Sequence, residues 1–470
     1  MDKSVKNVLL SFNYNSYFEN LYGVLKLLNT AAGYKSVVIF PLSYNGVESH
    51  VRLVQSLGVK VLDPLGEPWV SGVHKMTSKE LSKNKYTPQK TGSLRHNLKT
   101  IYLFFTCFRK TKKELKKFKK VIKTNKIELV ITGGEIVGTD TSLLIKAAKS
   151  LKVPSVLFVN WLGEHEGATM YLANPDHQIR GMLARFVKIW LSKWTYAKEG
   201  QTVIRLPAYQ VLALELLGLS SKNPWVLHQG RADKIAVEGS NMLDRAKRMG
   251  LPSQALVATG APFHDDIFET LRNKRQNKDK LFEKYSFKVD QPILLVAIPP
   301  DFLYPISGVP QCPQCDFQDY VTMVRYWMQV VSKDSKFNVI VSVHPSTDRT
   351  TLDFVSEYGA SIADEKITEL IPLADAYVAC VSATIGIAIS CGVPVINYDV
   401  YRFHYSDYKS FPGVYLVHEM IEFENAIHNL SMQDGFYKEL KENQLKDMSK
   451  YALIDGKTNE RILKLLSELA

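Results

Sequence analysis

Cysteine is scarce in this chain, at five residues in 470. So thin and odd a supply argues against a disulfide framework and for a reducing compartment, so a cytoplasmic location is expected. Long apolar runs are missing too: nothing approaches the roughly 20 residues that a membrane helix needs. The first residues, MDKSVKNVLLSF, run directly into a strand-like segment, so no leader peptide is expected. There is no D-x-D to hold a divalent ion against a pyrophosphate, no GxGxxG and no P-loop. The one C-x-x-C, Cys312 to Cys315, lacks the second pair of a structural zinc site and any thioredoxin-like context. No metal and no cofactor is therefore expected. No nucleic-acid recognition module is present, so nucleic acid is not an expected partner.

The charge that is present is uneven. The net charge is +12, and residues 81–126 hold 15 Lys and Arg against one acid, Glu114. The stretch LKTIYLFFTCF (98–108) sets aromatics beside that basic run, and RFVKIWLSKW (185–194) repeats the mixture. A solvated helix face explains such a pattern. So does a peripheral surface that meets an anionic membrane or an acidic acceptor, at the inner face of the cytoplasmic membrane.

A chain of this length is too long for one compact core, so two domains are expected. Short apolar runs at 7–12, 35–42, 59–64, 127–135 and 154–161 alternate with helical patterns, the signature of βαβ units and a parallel sheet. Residues 162–225 read as mostly helical and less regular. Strands resume at 232–239 and 255–262. The charged RNKRQNKDK (272–280) reads as a connector, and a second series of strands begins at QPILLVAIPP (291–300). The expected fold class is α/β with two Rossmann-like domains whose parallel sheets face an interdomain cleft. Residues 1–270 are expected to form the first domain and 271–455 the second. A last helix in 456–470 packs back on the first.

Two loops in the second half carry the most chemistry. SVHPS places His344 and Pro345 at the carboxyl tip of a buried strand, where an imidazole can donate to a phosphate oxygen. CVSATIGIAISCGVP places Ser382, Ala383 and Thr384 at a helix start, with Ser382 and Thr384 at capping positions. Loops at the carboxyl ends of neighbouring parallel strands hold nucleotides in open α/β sheets. The plain alternatives are a loop histidine and a simple helix cap. TGAPFHDD puts His264, Asp265 and Asp266 either near the cleft or at the start of a helix. In the first half, acids follow strands: Glu135 in TGGEIVGTD, and Glu164 and Glu166 in NWLGEHEGA. Asp233 opens another strand. Transfer to a hydroxyl needs a base, and a retaining route needs a carboxylate nucleophile.

On these residues the chain resembles GT-B glycosyltransferases of bacterial surface polysaccharide assembly. The pair His344-Pro345 and Ser382 is similar to the HP and serine motifs of transferases that use CMP-activated acidic sugars, the sialyltransferase and Kdo-transferase type. The resemblance implies that the histidine and serine contact the CMP phosphate. It implies a CMP-sugar as donor substrate, a glycan or glycolipid as acceptor, and transfer without a metal. By the same analogy Asp233 or Glu164 serves as nucleophile or acid/base. The sialyltransferase motif has two serines where Ala383 stands here. The late strands also resemble UDP-GlcNAc 2-epimerases, whose glutamate run after the serine is missing here, and CDP-glycerol glycerophosphotransferases. A non-catalytic nucleotide-sugar-binding protein is the alternative from another class.

Overall fold

In the computed structural model, the described residues are 5–12, 15–40, 47–70, 94–159, 162–163, 171, 175–198, 200–303, 315–333, 336–344, 347–405, 407–432 and 434–469. The apolar runs become strands, in chain order β1 (Lys6–Ser11), β2 (Tyr34–Ile39), β3 (Lys60–Leu62), β4 (Leu129–Thr132), β5 (Ser155–Phe158), β6 (Thr195–Lys198), β7 (Gln201–Ile204), β8 (Lys234–Val237) and β9 (Leu256–Ala258). After these come β10 (Ile293–Ile298), β11 (Asn338–Val343), β12 (Ser361–Ile362), β13 (Ala376–Ala379), β14 (Val395–Tyr398) and β15 (Val414–Val417).

Seven strands form one sheet in the order β3-β2-β1-β4-β5-β8-β9, and six form another in the order β12-β11-β10-β13-β14-β15. Every pairing in both sheets is parallel. Parallel strands covered on both faces must be apolar on both, which is why β4, β5, β10, β13 and β14 are buried along their whole length. Alternation then divides them. Val8, Leu10 and Phe12 pack on one face of the first sheet, with Leu21 and Leu25 of helix Asn15–Thr30. Leu9 and Val130 pack on the other, with Phe118, Val121 and Ile122 of helix Leu94–Thr124. In the second sheet, Leu294, Val296 and Ile298 meet Trp327 and Met328 of helix Tyr320–Ser332. Ile293, Leu295 and Ala297 meet Ile385 and Ile389 of helix Thr384–Ser390.

The chain divides into two compact units, residues 1–238, 242–262 and 459–470, and residues 239–241 and 263–458. This differs from the sequence boundary at 270. Ile267 of helix His264–Arg272 is buried in the second unit's core, so that helix belongs there. The charged 272–280 stretch lies mostly in a regular helix, Lys274–Tyr285, seated on the same core through Leu281. Among the described residues of 162–225, where mostly helix was expected, β6 and β7 pair as an antiparallel hairpin.

Candidate functional site at the carboxyl edge of each sheet

In open α/β sheets ligands bind outside the carboxyl ends of the strands, where the strand order reverses. In the second unit that point lies between β10 and β13, since β11 and β12 lie on one side and β14 and β15 on the other. β10 leaves through Pro299 and Pro300. The buried Tyr320 donates its hydroxyl to the Pro299 carbonyl at 2.7 Å, and Tyr401 donates to the Pro300 carbonyl at 2.7 Å. The two prolines have no N–H and their carbonyls are engaged, so this exit is a fixed floor rather than a donor.

β13 leaves through the turn 380–384. Val381 sits at φ +41°, a left-handed conformation that a β-branched residue adopts only at a cost of order 1–3 kcal/mol. Two hydrogen bonds hold it. The Val381 N–H donates to Asn397 Oδ1 at 2.8 Å, and the Tyr408 hydroxyl donates to the Ser382 carbonyl at 2.9 Å. Three hydroxyls then line up. Ser382 Oγ is 2.7 Å from Thr384 Oγ1, which is 2.6 Å from the Tyr377 hydroxyl. Neither Ser382 nor Thr384 is the capping residue that the sequence suggested. Ala383, with φ −59° and ψ −24°, occupies that position, and Thr384 is the first helical residue. The helix has only seven residues, so the polar character of the turn comes chiefly from its hydroxyls and N–H groups.

His344 follows β11, and its carbonyl accepts the Thr347 N–H at 2.9 Å. Its side chain is open to solvent, yet surrounding atoms desolvate the ring and hold its pKa below the ordinary value. Pro345 lies outside the described residues. β11 and β13 are not neighbours, contrary to the sequence expectation, because β10 runs between them. Strands two apart are separated by about 10 Å.

The first unit has the same reversal, between β1 and β4. β4 leads into Gly133, Gly134 and Glu135. The Glu135 side chain is buried, and its Oε2 accepts the N–H groups of Arg231 at 2.7 Å and Ala232 at 3.3 Å. Its own N–H donates to His228 Nδ1 at 3.1 Å, and the His228 N–H donates to its carbonyl at 3.0 Å. Gly230 is required here, because a Cβ would lie 1.9 Å from Glu135 Cδ. Oε1 is buried without a hydrogen-bond partner. Burial pushes the carboxyl up to about 7, against the pull of the two N–H groups and the Arg231 charge.

Asp233 has a different place. It precedes β8, and its Oδ2 accepts both the N–H of Ser155 at 2.9 Å and its hydroxyl at 3.0 Å. Ser155 opens β5, so this pair staples the amino ends of two strands, the edge opposite to ligand-binding loops. That corrects its reading as a catalytic carboxylate. Glu164, with His165 and Glu166, lies outside the described residues, as does Cys312. His264 is buried against Phe263, and Asp265 accepts the Thr458 N–H at 2.9 Å, so this group starts and ties a helix. Sequence reasoning missed Glu238. It directly follows β8, is buried, and is pushed up to about 8 by desolvation. The available signal was an acid straight after an apolar strand, in AVEGS.

No family model matches this chain, and no curated protein does. Solved structures match in fold. UDP-GlcNAc 2-epimerase from Neisseria meningitidis aligns with a TM-score of 0.54 at 12% identity, over 98% of this chain and 100% of that one. CalG4, the calicheamicin glycosyltransferase, aligns with 0.54 at 12% identity, over 99% and 98%. A variant of the wall teichoic acid polymerase TagF aligns with 0.53 at 11% identity, over 98% and 88%. With two parallel sheets of Rossmann type along nearly the whole aligned length, the chain has the GT-B fold.

Proposed function

We propose that this protein is a glycosyltransferase that moves an acidic sugar of the Kdo or nonulosonate class from a CMP donor to a surface glycan or glycolipid. The observation that carries this reading is the carboxyl edge of the second sheet. There His344 and the Ser382–Thr384 hydroxyls flank the strand reversal, with no carboxylate pair of D-x-D type in the sequence to call for a metal-bridged pyrophosphate. In the reaction an acceptor hydroxyl loses its proton to a base, its oxygen bonds to the anomeric carbon, and CMP leaves with the electron pair. His344 and the Ser382 turn donate to the phosphate oxygens that take up that charge. Glu135 is the base we favour, since a carboxyl near 7 is matched to proton transfer at neutral pH. Glu238 is the second candidate.

Exposed apolar residues support a membrane surface as partner. On helix Leu94–Thr124, Leu98, Ile101, Tyr102 and Phe105 share one face, and that face continues into Arg109, Lys112 and Lys116. Helix Gly181–Trp190 exposes Met182, Phe186, Ile189 (69%) and Trp190 (72%), beside Arg185 and Lys188. The two helices adjoin, since the Met182 N–H donates to Asn97 Oδ1 at 3.2 Å. Apolar side chains ringed by cations suit an anionic bilayer interface. Among the described residues no helix is long and apolar enough to cross a membrane.

A thermal-shift series with CMP, CDP, UDP and GDP tests the donor reading. CMP at about 100 times its Kd should stabilise by about 2.7 kcal/mol. His344→Ala should weaken CMP binding by about 1–3 kcal/mol in calorimetry. Stabilisation by UDP alone would favour an epimerase-like enzyme, and by CDP alone a glycerophosphotransferase. CMP affinity unchanged in the variant removes His344 from the site.

A further inference from the structure

β14 and β15 are adjacent and in register, Tyr398 opposite Val417. The next residue on each is a metal-ligating type: Asp399 after β14 and His418 after β15. A third arrives from the loop between them. Arg402 and His404 adopt left-handed conformations, φ +53° and +55°, which non-glycine residues seldom take without a compensating reason. The turn brings His404 back onto Asp399 and His418. One ligand atom from each of the three lies within 4.8 Å of the other two.

The cluster is supported as a built site is. Asp399 is fully buried, and its two oxygens accept the N–H groups of Phe403 at 3.0 Å and His404 at 2.7 Å. These bonds fix the carboxylate and leave lone pairs on both oxygens. Glu422 Oε2 accepts the N–H groups of His418 at 3.0 Å and Glu419 at 3.2 Å, which fixes the start of the second ligand. His418 Nδ1 lies 3.5 Å from Asp399 Oδ2. It is buried and has no hydrogen-bond partner, an orphaned nitrogen turned towards the carboxylate. The imidazole rings of His404 and His418 are 4.8 Å apart. The nearby cation, Arg402, is matched by both oxygens of Asp316 at 2.9 Å and by Glu419 at 2.8 Å.

We propose that Asp399, His404 and His418 form a binding site for a divalent transition metal of the zinc class. Two imidazoles and one carboxylate select such ions over magnesium or calcium, which prefer all-oxygen shells. Zn–N bonds of about 2.0–2.1 Å set ligand atoms about 3.3 Å apart around a tetrahedral ion. Rotation of His404, the exposed member, closes the remaining gap. Three protein ligands leave one position for water or a ligand oxygen. The bound ion clamps the strained 399–404 loop after β14 to β15 at the carboxyl edge, one and two strands beyond β13. The site does not depend on the donor assignment, and its failure would leave that assignment standing.

The test is titration of the chelator-stripped full chain with Zn²⁺, Co²⁺ and Mg²⁺. One equivalent of Zn²⁺ per chain is expected, with visible d–d absorption for Co²⁺ and at least tenfold weaker binding of Mg²⁺. His404→Ala should lose at least tenfold in Zn²⁺ affinity and the cobalt spectrum, with His418→Ala behaving alike. His428→Ala, an exposed histidine elsewhere, should change neither. His404 is exposed, so its variant is expected to fold and decides the matter by itself. Absence of stoichiometric Zn²⁺ binding, equal affinity for Mg²⁺, or wild-type affinity in His404→Ala each overturns the proposal.

Discussion

Glu135 shows how much a single residue carries. A carboxyl buried with one oxygen unpartnered holds a proton that an exposed glutamate would release, and its pKa stands at about 7 rather than 4.5. The sign follows from proton counting. Between those values the folded state binds more protons than the unfolded one, so stability falls as pH rises from about 4.5 through 7. Above 7 the full cost applies, about 3 kcal/mol. Glu135→Gln keeps an acceptor for the Arg231 and Ala232 N–H groups without the buried charge. It should therefore unfold at higher denaturant than the wild type at pH 8, and the gap should close towards pH 5. Equal gaps at the two pH values in urea melts would show that this carboxyl does not titrate as described. If Glu135 is the base, the stabilised variant also loses transfer activity. The roles of such residues were unevenly legible. His344 and Ser382 stand out because each follows a buried apolar run. Asp233 opens a strand instead, and the partner that explains it, Ser155, lies 78 residues earlier beside it at the amino edge of the sheet.

Elements were legible where one signal dominated. Strands buried on both faces read as apolar runs, which made both sheets visible in the sequence. The hairpin β6–β7 was hidden because TYAK and QTVI are short, half-polar strands inside a region of helical pattern. β15, the strand VYLV, was passed over because its middle is open to solvent, with Tyr415 exposed and only Val414 and Val417 buried. Helix Leu94–Thr124 shows why composition alone left two readings open. Its inward face, Phe118, Val121 and Ile122, seats the carboxyl half on the core, while its amino half turns apolar side chains to solvent. A merely solvated helix would carry polar residues at Leu98, Tyr102 and Phe105. Flotation with vesicles rich in anionic lipid should therefore capture the protein. Replacing Ile189 and Trp190 with Ser, or Lys112, Lys113 and Lys116 with Gln, should cut the bound fraction severalfold. High salt should weaken the second contribution more than the first. Capture that survives both sets of changes would remove the membrane role.

At the scale of the molecule, the two-domain α/β class was visible from the alternation of strands and helices, but the order of strands was not. Sequence spacing does not say that β10 runs between β11 and β13, because a crossover can place the next strand on either side. Chain return is another whole-molecule property. After the second unit the chain goes back to the first through helix Thr458–Leu469, where Ile462 and Leu466 are fully buried beside Phe18, Leu21 and Leu25. Arg461 Nε donates to the Thr259 carbonyl at 2.8 Å and fixes that docking. The last residues thus complete the core of the first unit, although some 200 residues of another unit intervene. Leu466→Ala should cost about 2–5 kcal/mol by leaving a cavity in that core. The loss should be local: in hydrogen exchange, amides of β1 and β2 should lose protection while those of β10 and β11 keep theirs. Equal loss in both sheets would mean that the units unfold as one cooperative body, and that this helix stabilises the whole chain rather than the unit it completes.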